Sequence, residues 1–179
     1  MTQTQRPAHI AIVTVSDRAA RGEYPDRGGP GAEDWLRAVV TSPMRITRTI
    51  IPDGREVVAA TLRDLADGGA DLILVTGGTG PAPRDLTPEA MGDVMEKELP
   101  GFGEEMRRAS LREVPTAILS RQTAGIRGRT LMITIPGKPS AIATCLDAVF
   151  AAVPYCLDLI GAARIETDPA RIRAFRPKS

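Results

Sequence analysis

DLILVTGGTGPAPRDLTPEAM, Asp71 to Met91, is the stretch on which the reading of this chain turns. Leu72 to Val75 is a short apolar run of the kind shown by a parallel strand covered on both faces. It breaks at once into Thr76-Gly-Gly-Thr-Gly80, where glycine lets the backbone take positive φ and approach a ligand closely. Such turns aim successive amide N–H groups into one concavity, which suits a phosphate or carboxylate. Thr76 and Thr79 add hydroxyls. Arg84-Asp85 then sets a fixed cation beside a carboxylate. Thr87-Pro88-Glu89 reads as a helix start, with Thr as N-cap, Pro at the first position and Glu complementing the dipole. Taken alone, GGTG equally describes a tight connector whose glycines serve geometry only. The density of polar groups from Thr76 to Thr87 favours an anion site. The stretch is neither G-x-G-x-x-G nor a Walker A loop, because no Lys follows the glycines and Pro83 stands where a third glycine would fall.

Outward from this stretch, strands and helices alternate. His9–Val15 reads as a first strand ending in Ser16-Asp17-Arg18, and Met44–Ile51 as a second ending in Pro52-Asp53-Gly54. Thr130–Ile135 reads as a further strand, ending in Pro136-Gly-Lys-Pro139 and Ser140. Helices are expected over Glu33–Val40, Arg55–Ala66, Pro88–Leu99, Glu104–Glu113, Ala141–Phe150 and Pro154–Ile160. Ala19–Gly31 reads as a flexible loop in which Tyr24, Asp26 and Arg27 are within reach of a site, with a solvated surface loop as the favoured reading. Trp35 reads as a core anchor, and the arginine-rich end from Arg164 as a docking tail or solvated end.

The pattern predicts a single α/β domain of three layers, a mostly parallel sheet with helices on both faces. It spans residues 1–179, with a core of about 8–161 and a tail from 162. Right-handed crossovers put the strand exits on one edge. Ser16, Asp17, Asp53, Thr76 to Gly80, Asp85, Pro136 and Gly137 would then share a rim. That convergence raises Asp53 from a Pro-Asp-Gly turn residue to a candidate ligand.

Composition narrows the partners. The net charge of +1 gives no global field for nucleic acid, and 3% aromatic residues supply few stacking platforms for single strands. No apolar run reads as membrane-spanning and none as a signal-peptide core, so a cytoplasmic protein is expected. Cys145 and Cys156 fall in apolar helical stretches and read as free thiols. The lone His9, at a strand start, reads as an edge or core residue rather than a metal ligand.

At this point the motifs resemble a known family. TGGTG with RD and TPEA (Thr76–Ala90), SDR (Ser16–Arg18), PD (Pro52-Asp53), PGFGE (Pro100–Glu104), LSR with AGIRG (Leu119–Gly128) and PGKP (Pro136–Pro139) are similar to the MoaB/Mog domain of molybdenum-cofactor biosynthesis. The resemblance implies transfer of AMP from Mg-ATP to molybdopterin, a homotrimer, and hand-over of product to a molybdenum-inserting enzyme. By motif, Asp53 and Asp85 match the family's acids tied to Mg²⁺ and catalysis. Thr76, Gly77, Gly78, Thr79 and Gly80 match its phosphate turn. Ser120-Arg121 and Pro136 to Ser140 border its pterin-phosphate and nucleotide region. Ser16, Asp17, Arg84, Thr87 and Glu104 complete the candidate substrate-binding set. Arg84 or Arg121 would offset charge on the leaving pyrophosphate. A non-catalytic molybdopterin-binding module and an unrelated phosphate-ester enzyme or nucleotide-binding regulator using the same glycine turn remain the alternatives.

Overall fold

Side chains on a strand alternate between the two faces of its sheet, and the central strands here carry apolar groups on both. The computed structural model describes residues 6–178; Ser179 and the first five residues of the polar start lie outside that range. In chain order the elements are β1 (Ala8–Val15), α1 (Asp17–Ala20), α2 (Gly28–Val39), β2 (Met44–Ile51), α3 (Arg55–Asp67) and β3 (Leu72–Thr76). Then follow α4 (Thr87–Gly92), β4 (Lys97–Glu98), α5 (Pro100–Ser110), β5 (Ala124–Arg127), β6 (Thr130–Ile135), α6 (Pro139–Val149) and α7 (Val153–Leu159). The sheet order is β2-β1-β3-β6-β5-β4. The first four strands are mutually parallel, and β5 and β4 extend the sheet antiparallel.

The three layers follow from the pleat. Ile10, Ile12, Leu72, Leu74, Leu131 and Ile133 face one way and pack with apolar residues of α2, α5, α6 and α7. Ala11, Val13, Ile73, Val75 and Met132 face the other way and pack with Val58 and Leu62 of α3 and Met91 of α4. Trp35 sits edge-to-face on Phe150, ring centroids 4.8 Å apart, and its indole donates to Asp147 at 2.9 Å. It is an anchor of the first core, as its place on the α2 stripe predicts. Cys145 and Cys156 are free, and Cys145 is buried.

Two elements differ from expectation. The helix expected over Pro88–Leu99 ends at Gly92, and Lys97–Glu98 instead forms the edge strand β4 against Gly125 and Ile126. The loop expected over Ala19–Gly31 is shortened at both ends, by α1 and by the start of α2 at Gly28. The composition of Pro139–Leu159 is apolar enough to cross a membrane, contrary to expectation. Here it is the core-packing run α6–α7, interrupted by a 3₁₀ turn at Phe150–Ala152 and burying Ile142, Leu146, Phe150 and Leu157. In the tail, Arg176 docks on Asp158 and on the Ile165 carbonyl at 2.9 Å.

The chain leaves β1 through α2, on one face of the sheet, and leaves β3 through α4, on the other. Between β1 and β3 the crossovers therefore part to opposite faces and open a crevice at the carboxyl ends, where open α/β sheets bind ligands. All the strand-exit candidates lie on that edge.

Candidate functional site

A cleft of about 510 Å³ occupies this switch point, lined by Ser16 from the β1 exit, Thr76 and Gly77 from the β3 exit, and Gly137 and Lys138 after β6. The glycine turn is shaped by contact as much as by dihedral. Gly77 has φ +98°, and a Cβ there would stand 2.3 Å from the Val15 carbonyl oxygen. Gly78 has φ +64°, and its Cβ would stand 2.3 Å from Thr87 Oγ1. Only glycine lets the turn lie against β1 and fold back on α4.

The hydrogen bonds separate the struts of this turn from its open donors. Thr76 Oγ1 donates to the Pro136 carbonyl at 2.9 Å, joining the β3 and β6 exits. Thr87 Oγ1 donates to the Gly77 carbonyl at 2.9 Å, and its amide to the Gly78 carbonyl at 3.1 Å. Thr87 is therefore a strut and the first helical residue, not the expected N-cap. The Gly77 amide is committed to the Ile135 carbonyl at 3.3 Å. Among the described residues, the amides of Gly78, Thr79 and Gly80 make no hydrogen bond, and these are the donors the turn offers an anion.

Arg121 holds the far end of the turn. Its amide donates to the Thr79 carbonyl at 2.8 Å and its Nε to the Gly80 carbonyl at 3.0 Å. Its remaining nitrogens reach the Asp85 carbonyl and pair with Glu89. The Arg121 guanidinium keeps the Glu89 carboxyl below the ordinary carboxylate range. A fork spent in this way positions the turn rather than standing ready for a leaving group; Arg84, exposed beside it, keeps that possibility.

The acids are disposed around the same edge. Asp53 accepts from the Asp17 amide at 2.9 Å, and Asp17 accepts from the Asp53 amide at 3.1 Å, so each carboxylate braces the other's backbone. Ser16 caps α1, accepting from the Ala19 amide at 3.2 Å. Asp85 Oδ2 accepts from the Ala82 amide at 3.1 Å and lies against Gly80, whose Cβ would meet it at 2.7 Å. β2 and β3 flank β1, so Asp53 and the glycine turn leave strands about 10 Å apart with Asp17 between them. Each acid keeps one carboxylate oxygen without a protein donor among the described residues.

The remaining candidates sort into two neighbouring recesses. Ser120 and Arg121 line one of about 390 Å³, with Arg107 and Gln122. Ser120, Pro136 and Ser140 line another of about 270 Å³. Ser120 Oγ is buried and has no hydrogen-bond partner among the described residues, and Ser120 borders both recesses. Glu104 is exposed on α5, and neither it nor Asp17, Asp53, Gly78, Thr79, Gly80, Arg84, Asp85 or Thr87 is among the residues lining the cleft or either recess; the acids and the open amides lie on the sheet edge outside them. Arg107 is a residue the sequence reading passed over. It donates to the Gln122 carbonyl at 2.7 Å, fixing the approach to β5. Its signal is Gly103 one turn earlier, whose Cβ would stand 2.1 Å from the Gln122 carbonyl oxygen. Tyr24, Asp26 and Arg27, expected in solvent, line the cleft. Asp26 is fixed there by the Thr14 hydroxyl and the Gly29 amide, both at 3.0 Å.

Fold and site together define an α/β protein with a cleft at the switch point of its sheet and open backbone amides on the same edge. Residues 11–155 match the family described as probable molybdopterin binding domain, and the chain belongs to that family. It is 48% identical to the molybdopterin adenylyltransferase of Helicobacter pylori strain J99, over 95% of this chain and 97% of that one. It is 45% identical to the molybdopterin adenylyltransferase of Escherichia coli K12, over 95% and 94% respectively. Among solved structures, the molybdopterin biosynthesis enzyme MoaB of Thermus thermophilus superposes with a TM-score of 0.78 at 40% identity, covering 86% of this chain and 96% of that one.

Proposed function

We propose that this chain is a nucleotidyltransferase that adenylylates molybdopterin, using ATP as donor. An oxygen of the molybdopterin phosphate attacks the α-phosphorus of ATP and a new P–O bond forms. The bond from the α-phosphorus to the bridging oxygen breaks, and its electron pair leaves on pyrophosphate. A phosphate monoester is already largely ionised near neutral pH, so the nucleophile needs no general base. What the reaction needs is alignment and charge neutralisation. The observation that carries this reading is the run of unengaged amides at Gly78, Thr79 and Gly80 on the switch-point rim, between the Asp17–Asp53 pair and Asp85. Those amides hold phosphate oxygens, Arg121 and Thr87 keep the turn rigid, and Arg84 faces the developing charge.

Mg²⁺ takes one or two carboxylates and completes its shell with water and substrate phosphates. Asp53 and Asp85, each with a carboxylate oxygen free of protein donors among the described residues, would hold it, directly or through water. When bound it would offset charge on the phosphate oxygens. The family resemblance extends the proposal to a cytoplasmic homotrimer that passes its product to a molybdenum-inserting enzyme. Sedimentation of the purified chain tests the trimer.

Asp53→Asn and Asp85→Asn test the centre. Each should lower adenylylation by about 10²–10³-fold, the usual loss when one charge-stabilising group leaves such a site, with molybdopterin binding retained. Near wild-type turnover in both variants overturns the assignment. Mass spectrometry of the wild-type reaction decides between catalysis and a binding module: adenylylated molybdopterin supports the transferase, and its absence supports the module.

A further inference from the structure

The mouth of the 510 Å³ cleft carries three cations that the reaction so far does not use: Arg18, Arg27 and Lys138. Arg18 and Arg27 both lie over the ring of Tyr24, their guanidinium carbons 5.2 and 5.8 Å from its centroid. The Tyr24 ring gathers both guanidinium groups at one lip of the cleft. Lys138 enters from the opposite wall, after β6. Among the described residues none of the three forms an ion pair, whereas Arg21 on the same loop is paired with Glu23. The one carboxylate lining the cleft, Asp26, has both oxygens engaged by Thr14 and Gly29. Three cations outside any ion pair among the described residues, set against the single charge of Asp26, leave an excess of positive charge around a floor of glycine backbone, which suits a compact anion with many acceptor oxygens.

We propose that Arg18 and Arg27, aimed by Tyr24, with Lys138 opposite, bind the β- and γ-phosphates of the nucleotide and hold the released pyrophosphate. The proposal rests on the adenylyl-transfer reading and deepens it: the cleft mouth takes the leaving group, while the glycine turn takes the phosphate under attack.

Calorimetric titration with inorganic pyrophosphate and magnesium tests this directly, with folding of each variant checked by circular dichroism. Arg18→Gln and Arg27→Gln should each weaken pyrophosphate binding about tenfold or more, the scale of a lost hydrogen bond between charged groups. Tyr24→Leu should weaken it about threefold through loss of the cation–ring contacts, and Tyr24→Phe should bind as wild type. In turnover, the arginine variants should raise KM for ATP and relieve product inhibition by pyrophosphate, leaving KM for molybdopterin unchanged. Wild-type pyrophosphate affinity in both arginine variants overturns the proposal. A KM effect confined to molybdopterin also overturns it and assigns the cleft mouth to the pterin phosphate. If wild type forms no adenylylated product, the parent reading fails separately, while the titration still reports on the site.

Discussion

Asp71 begins β3 at the end of the sheet away from the cleft and is 2% exposed. Its Oδ1 accepts from Arg6 at 2.6 Å and from the Ala163 amide at 2.8 Å; its Oδ2 accepts from Arg6 and from the His9 amide, both at 2.9 Å. One carboxylate thus joins the start of β1, the start of β3 and the chain after α7. Asp71→Ala leaves two amide donors without an acceptor, at roughly 1–3 kcal/mol each. The ion pair adds little, because Arg6 is 52% exposed and such pairs contribute about 0–1 kcal/mol. The expected loss is about 4 kcal/mol, a fall in Tm of about 8–16 °C for a chain of this size. Burial pushes the Asp71 carboxyl pKa up, but the hydrogen bonds from Arg6, Ala163 and His9 outweigh it, and the net shift is downward. A lowered folded-state value means this contribution is complete above about pH 4 and is lost as pH falls through the lowered value. Urea unfolding of wild type and Asp71→Ala from pH 7 to pH 3 measures both effects. The gap should be wide at neutral pH and narrow in acid, with kcat unchanged where both are folded. A gap under 1 kcal/mol, or one that stays constant into acid, refutes the reasoning.

Gly78→Ala should sharply reduce kcat, since φ +64° and the contact with Thr87 force the turn to move; Gly92→Ala, with nothing within 4 Å and away from the cleft, serves as the tolerant control by steady-state kinetics. Arg121→Lys should lower kcat about tenfold or more, because one ammonium cannot reproduce the fork to Gly80, Asp85 and Glu89, and an unchanged kcat would show the turn needs no such brace. Burial raises the pKa of the Cys145 and Cys156 thiols, so the native protein at pH 7.5 should react slowly with a thiol reagent and the unfolded chain fast, as followed by absorbance.

The strands and the glycine turn were legible because their signals are local: apolar runs bounded by turn residues, and positive-φ positions that need glycine. What escaped the sequence depends on distant contacts. α2 starts at Gly28 despite the poor helix propensity of Gly28-Gly29, because that end presses on the other strand exits. A Cβ on Gly28 would stand 3.0 Å from Thr76 Oγ1, and one on Gly29 would stand 2.4 Å from Asp26 Oδ2. The same packing draws Tyr24, Asp26 and Arg27 into the cleft. α4 stops early because Met95 packs on Gly125, where a Cβ would lie 2.6 Å from the Met95 sulfur, and the chain then pairs with β5. A glycine inside a strand was the available clue. The division of Thr76, Thr87 and the Gly77 amide into struts, and of the next three amides into donors, depends on which carbonyls lie opposite. No local pattern contains that.

The two-residue β4, with Lys97 and Glu98 both exposed, closes one border of the sheet, and β2 with Arg45 and Arg48 closes the other. Borders this short or this charged are poor templates for a foreign strand. Growth of the sheet from copy to copy is thereby discouraged at both ends, which favours helices and loops as the surfaces through which copies of this chain would meet.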